Sequence, residues 1–286
     1  MKKILILVSS IVLLATTISA QVAADKKVRF GLKATPTPTW LRSDDLKNTE
    51  SSGVKFGFGF GLQLEFKISS TASFVTGIGG DFLGGSQKYN LGQGIALNKD
   101  NSAYVDSKDL DFNKATSAIN NASTDINYYQ LNSRSIKASY LTIPVLLKLM
   151  TKDISGFKYF GIFGGNIAVQ TKFKAAENVT QLVFNTVTNT YDVAGVSTVS
   201  DMRPSGDIVP VNLALNVGIG AEYNLSGTTS LFISVNYVRG FISQYTATSS
   251  YIINDIKTNI NYKGAITHSK QSAYSDGVQI NVGILF

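Results

Sequence analysis

Large apolar residues occupy every even position from Val54 to Ile68, and small or polar residues every odd one: VKFGFGFGLQLEFKI. Alternation with a period of two predicts a β-strand whose faces meet different surroundings. Seven further stretches carry the same signature: 27–39, 72–84, 136–150, 158–171, 211–223, 230–245 and 278–286. In 136–150, Leu141, Ile143, Val145, Leu147 and Leu149 share a face, and in 211–223 Val211, Leu213, Leu215, Val217 and Ile219 do. The stretch 158–171 is less regular, because Phe160, Ile162 and Phe163 interrupt the alternation. Several runs match or exceed the 9–11 or so residues that cross a bilayer at a tilt.

The connections alternate in length. Short links near 69–70, 152–156 and 226–229 contrast with long ones at about 41–53, 85–135, 175–209 and 248–271. Short turns on one rim and long loops on the other predict an all-β, eight-stranded antiparallel up-and-down transmembrane barrel. A soluble β-sandwich with large insertions is the competing architecture, but structureless loops this long are uncommon in compact soluble domains. With an even strand number both termini fall on the short-turn, periplasmic rim. The localisation implied is the cell outer membrane.

The first twenty residues stand outside this pattern. Lys2 and Lys3 precede an apolar run from Ile4 to Leu14, and small residues including Ser19 and Ala20 follow. That is the layout of a secretory signal peptide, with cleavage after Ala20 or Ala24. Residues 1–20 are therefore expected to be a leader and 21–286 the barrel domain. The chain has no cysteine, which excludes a disulfide framework and thiolate metal sites. Its formal charge of +7 is not gathered in a block, so no nucleic-acid partner is implied.

With the apolar parity facing lipid, the polar parity faces the lumen. Arg29, Lys33, Lys55, Glu65, Asp81, Lys148 and Glu222 are candidate lumen charges. An eight-stranded barrel is just wide enough inside to be filled by side chains, so mixed charges there would pair and plug it. Gly57, Gly59 and Gly61 would make room for side chains from neighbouring strands. Arg239 shares the parity of Tyr237, so either the strand has reached the interface there or Gly240 marks a bulge. Pro144 suggests a bulge or break in the ladder. Trp40, Phe66, Phe82, Tyr159, Tyr223, Tyr245 and Phe286 are expected near strand ends as interfacial aromatics.

Val278, Ile280, Val282, Ile284 and the terminal Phe286 resemble the C-terminal assembly signal of outer-membrane barrels, which insertion machinery binds by edge pairing. YLTIPVLLK at 140–148, followed by a short turn and YFGIFGGNI at 159–167, resembles the PorT-like outer-membrane β-barrel proteins of the Bacteroidetes. Tyr140, Leu141, Ile143, Pro144, Leu146, Leu147 and Lys148 match that family's fourth strand, whereas Thr142 stands where an acidic residue is common. The resemblance implies an eight-stranded barrel and, through the founding member, a connection to type IX protein secretion.

Catalytic signals are sparse. His268 is the single histidine and sits beside Ser269 in an outer loop, the one pairing that could suggest an envelope lipid-modifying enzyme or protease. Asp44, Asp45, Asp106, Asp109 and Asp111 could attract Ca²⁺, but no EF-hand spacing exists. Residues 107–124 could form a helical turn or two. The expectation is a monomer without cofactor, metal or catalytic site, its lumen largely plugged, with a structural or surface-interaction role. Its partners would be outer-membrane lipid, the insertion machinery and a protein at the outer loops. Accessory secretion function, enzymatic activity and a narrow channel are the alternatives.

Overall fold

The computed structural model describes residues 27–90, 92–110, 126–262 and 266–286. The expected leader and its cleavage site lie outside the described residues, as do residues 111–125.

Eight strands form a closed ring: β1 Val28–Arg42, β2 Lys55–Lys67, β3 Ala72–Tyr89, β4 Ile126–Met150, β5 Phe157–Asn185, β6 Val211–Ser226, β7 Thr229–Gly240 and β8 Tyr274–Leu285. Each pairs antiparallel with the next. β8 returns to β1, with Leu285 opposite Gly31 and Tyr274 opposite Arg42. Closure removes the free edges that an open sheet would expose. The turns at 68–71, 151–156 and 227–228 share a rim with Lys27 and Phe286.

The wall faces outward with apolar side chains. Phe30, Leu32, Phe58, Phe60, Leu62, Ile78, Phe82, Leu147, Phe163, Ile219, Ile233 and Val282 are all exposed large hydrophobics. A belt this continuous is far beyond the few hundred Å² that soluble monomers leave uncovered, and its solvent is hydrocarbon. No helix among the described residues is long and apolar enough to cross a membrane.

β4 shows where the belt ends. Its outward parity reads Ser133, Ser135, Lys137 and Ser139, then Leu141, Ile143, Val145, Leu147 and Leu149. Polar residues facing out above Leu141 place the bilayer boundary at that level. On β5 the register shifts beside Ser139, where Thr171 is the extra residue. The resulting bulge exchanges the two faces: beyond it Lys172 and Lys174 point out, while Phe173 and Ala175 turn inward and are buried.

Two ladders are interrupted by proline, and neither interruption is a bulge. Between β3 and β4, pairing is missing from Gly77-Ile78 against Ile143-Pro144, yet Thr76 opposite Val145 and Gly79 opposite Thr142 keep one register. Proline has no N–H to give, so the ladder loses bonds without gaining a residue. On the β1–β8 seam, pairing stops after Ala34–Val282 and resumes at Thr39–Gly277, flanking Pro36 and Pro38. There the Thr35 hydroxyl donates to Asn281 Oδ1 at 3.0 Å and bridges the gap by side chain.

The segments expected to be long loops are largely structured. β4 has 25 residues and β5 has 29; at about 3.3 Å per residue β4 runs roughly 80 Å, against a hydrocarbon core of about 30 Å. Above the bilayer these strands carry a cap. Gly94–Asn98 pairs with β4, Thr248–Ile253 with Gly94–Asn98, and Thr190–Met202 with β5. A short helix, Ile256–Tyr262, and a 3₁₀ turn, Ser107–Asp109, complete it. Its apolar core faces inward: Leu41, Ile95, Leu97, Leu131, Ile136, Val179, Met202 and Ile252 are buried together. The polarity of the wall therefore inverts at the boundary, because the solvent changes from lipid to water.

Other expectations need correction. The seventh strand ends at Gly240 rather than 245; its pairing with β6 shifts register between Thr229 and Ser230 and then keeps one register to Gly240, so Gly240 marks no bulge. Arg239 lies exposed at the outer end of the wall. The apparent irregularity of β5 is not one of geometry: Phe160 and Ile162 point inward and Phe163 outward. Tyr245 is buried in the cap instead of joining an interfacial girdle, whereas Phe82, opposite Phe58 on β2 and Ser139 on β4, stands at the outer boundary as expected. Tyr159, Tyr223 and Phe286 are exposed near the short-turn rim.

Candidate functional site

Four of the seven candidate lumen charges meet in one buried cluster, contributed by β1, β2, β4 and β6. Arg29 donates from its terminal nitrogen to Glu65 Oε1 at 2.9 Å and to both Glu222 oxygens at 3.0 Å. Lys148 Nζ donates to Glu65 Oε2 at 3.0 Å and also to Glu222 Oε1. Their side chains are at most 8 % exposed. Two cations and two carboxylates balance, which is the condition for burying charge without a large uncompensated penalty. Lys148 also lies over the Phe160 ring, 4.3 Å from its centroid.

Beside the charges, Phe160, Phe232 and Leu285 form an apolar plug. Its rings fit because Gly220 and Gly283 face them; a Cβ at either position would overlap Phe160 or Phe232. The next layer up is a ladder of amides. Asn236 donates to Asn216 at 2.8 Å, Asn216 to Asn166 at 3.2 Å, and Asn281 to the Ser234 hydroxyl at 3.1 Å. Lys33 and Asp81 share the wall of a void of about 20 Å³, and a second void of about 20 Å³ lies against Lys148 and Phe160. Each has room for about one water. Asp81 is accommodated by Gly59, whose Cβ would collide with its carboxylate. Lys55 does not join them; it is exposed at the outer end of β2.

The cap holds a second polar network that the strand pattern did not reveal. Arg134 Nε donates to Glu177 Oε1 at 2.7 Å, with both side chains at most 1 % exposed. The Tyr104 hydroxyl donates to the same Glu177 oxygen; burial foremost, and then that carboxylate, push the Tyr104 phenol well above its ordinary range and keep it a donor. Asp207 accepts from the Ser249 hydroxyl at 2.6 Å, the Ser250 amide at 2.9 Å and Gln271 at 3.2 Å, tying three segments of the cap together. Asp276 accepts from Arg42 at 3.0 Å and from the Gly240 amide at 3.1 Å. Arg134 and Glu177 fall in stretches the sequence reading assigned to loops. The available signal was that Arg134 shares the parity of Lys148, fourteen positions along one uninterrupted strand.

His268 and Ser269 are neighbours on a three-residue strand with opposite exposures. His268 Nδ1 lies 3.1 Å from the Ser107 hydroxyl and 3.1 Å from the Ser249 carbonyl. Ser269 accepts from Gln93 at 2.9 Å. The two side chains are thus engaged elsewhere rather than with each other. Asp44 pairs with Arg42, Asp45 with Asn48, and Asp106 with Lys108; Asp111 is outside the described residues. No group of three or more metal-ligating side chains occurs among the described residues.

A family model described as outer membrane protein beta-barrel domain matches residues 19–246. No curated protein matches in sequence. Among solved structures, Neisserial surface protein A is 10 % identical, with 91 % of this chain and 97 % of that one covered and a TM-score of 0.34. Ail, the attachment invasion locus protein of Yersinia pestis, is 9 % identical over 91 % and 97 %, with a TM-score of 0.32. The outer membrane protease OmpT of Escherichia coli is 8 % identical over 94 % and 99 %, with a TM-score of 0.33.

Proposed function

Because this chain belongs to the outer membrane protein β-barrel domain family, we propose that it is a monomeric, sealed membrane anchor holding a folded recognition surface above the bilayer. The observation that carries this reading is the cap. A protein that only had to span the membrane would need about 9–11 residues per strand, whereas β4 and β5 extend far beyond that to support a hydrophobic core of their own.

One part of the cap has the chemistry to receive a partner. Thr190–Met202 pairs with β5 alone among the described strands, and its side chains are exposed along most of its length, Val193 and Val196 included. A free edge with few charges is a template for strand addition. A photo-crosslinking residue at Val196 in intact cells is expected to yield one discrete adduct with an envelope or extracellular protein. The same residue at lipid-facing Ile219 should yield none. Equal labelling at the two positions, or none at Val196, would defeat the recognition role.

The packed lumen supports a non-conducting barrel over the narrow-channel alternative. In planar bilayers the purified protein should show no steady open level, and a large constant conductance would overturn the sealed reading. An accessory role in type IX-like secretion is the second reading. It rests on the PorT-like segment YLTIPVLLK, and co-purification with secretion components from crosslinked cells would promote it. Insertion is assigned to the final strand, where Ile280 and Val282 face outward and the Phe286 amide donates to the Phe30 carbonyl at 2.7 Å.

A further inference from the structure

Beneath the charge cluster the barrel opens on the short-turn rim as a cavity of about 510 Å³, within the size range of small-ligand pockets. The cluster and the apolar plug close its inner end, so it is reached from the periplasmic side. Lys27 and Lys158 line it, with Lys67 and with Arg29 and Glu222, which already pair with each other in the cluster above. Lys27 and Lys158 have no carboxylate partner among the described residues.

Two buried donors on this wall have no acceptor. Arg29 gives its terminal nitrogen to Glu65 and Glu222, but its Nε is unpartnered; Ser73, fully buried, leaves its hydroxyl unpartnered. Buried polar groups are paired as a rule, and a hydrogen bond left unmade costs free energy. Two such donors beside lysines at the mouth of one cavity suit an acceptor that arrives from outside.

We propose that this vestibule binds the carboxylate of an acidic peptide presented by a periplasmic protein. A singly charged carboxylate fits better than a phosphate dianion, because Arg29 is already engaged by Glu222, few cations are left to balance a second charge, and a dianion costs more to strip of water. The volume exceeds what a lone carboxylate fills, and the hydroxyl and amide groups of the rim suit the peptide backbone that would carry it. The site is separate from the outer cap, and its occupancy does not depend on what the cap recognises.

The test uses the full barrel in nanodiscs and a fluorescein-labelled peptide of alternating Asp and Ser, with its Asn counterpart as control. Fluorescence polarisation should report binding of the Asp peptide and none of the Asn peptide. Binding should weaken as salt shortens the screening length. The double variant Lys27→Gln/Lys158→Gln, whose residues touch solvent, should bind about tenfold more weakly. Ser73→Ala should bind about threefold more weakly while the barrel's unfolding midpoint does not fall, a split that a merely structural hydroxyl would not produce. Arg239→Gln on the far rim should change nothing. Acetate should compete better than phosphate. Equal binding of the Asn peptide, wild-type affinity in the double lysine variant, or no binding of the Asp peptide would overturn the site; phosphate outcompeting acetate would overturn the carboxylate assignment.

Discussion

Lys148→Met should destabilise the barrel by about 3–5 kcal/mol, measured as the urea midpoint of the heat-modifiable form in lipid vesicles. The side-chain volumes are similar, so the loss is one of charge. Without Lys148, Arg29 alone faces Glu65 and Glu222, and one carboxylate is left uncompensated where side chains are at most 3 % exposed. Pairing the change with Glu222→Gln restores neutrality, leaving Arg29 with Glu65. The double variant should therefore be more stable than Lys148→Met, the opposite of additivity. A double variant that shows the sum of both losses would mean that Lys148 acts through packing on Phe160 rather than through charge balance.

Phe60→Arg is expected to cost about 1–2 kcal/mol by the same measurement, less than at the midplane because Phe60 stands in the ladder row of Gly80 and Leu141, toward the outer end of the lipid-facing wall. Phe60 faces out of the wall, opposite Ala34 on β1 and Gly80 on β3, with Phe82 6.1 Å away centroid to centroid. A guanidinium there must sit in hydrocarbon or bend along the wall to reach the outer interface. Arginine one residue earlier, at Gly59, should fail differently. It enters the lumen and collides with Asp81, so the barrel should not reach its heat-modifiable form at all. Equal and small effects at 59 and 60 would say that the two faces are assigned the wrong way round.

Much of the architecture was legible because a strand writes its two solvents in alternate letters. VKFGFGFGLQLEFKI states its lipid face and lumen face without reference to any other part of the chain, and β2 follows it almost residue for residue. The cap was not legible in the same way. In LNSRSIKASYLTIPVLLKLM the alternation continues across the bilayer boundary, but the apolar letters change parity at Tyr140-Leu141. A reading that follows one parity stops there and takes the remainder for a loop. Thr171 hides the same boundary on β5, since a single extra residue reverses which face each later side chain meets.

By itself the sequence determined which residues point at lipid and which point inward, how many times the chain crosses, and which rim holds the short turns. These are local properties, set by a period of two and by turn lengths. Only the tertiary structure decided which inward charges meet. Arg29, Glu65, Lys148 and Glu222 are up to 193 positions apart and come together through ring closure and the stagger of the strands, neither of which leaves a mark on any one segment. Lys55 shares the parity of Glu65 but lies ten residues away along the same strand, at its outer end, and does not reach the cluster. Parity fixes a direction, and the closed ring fixes the neighbour.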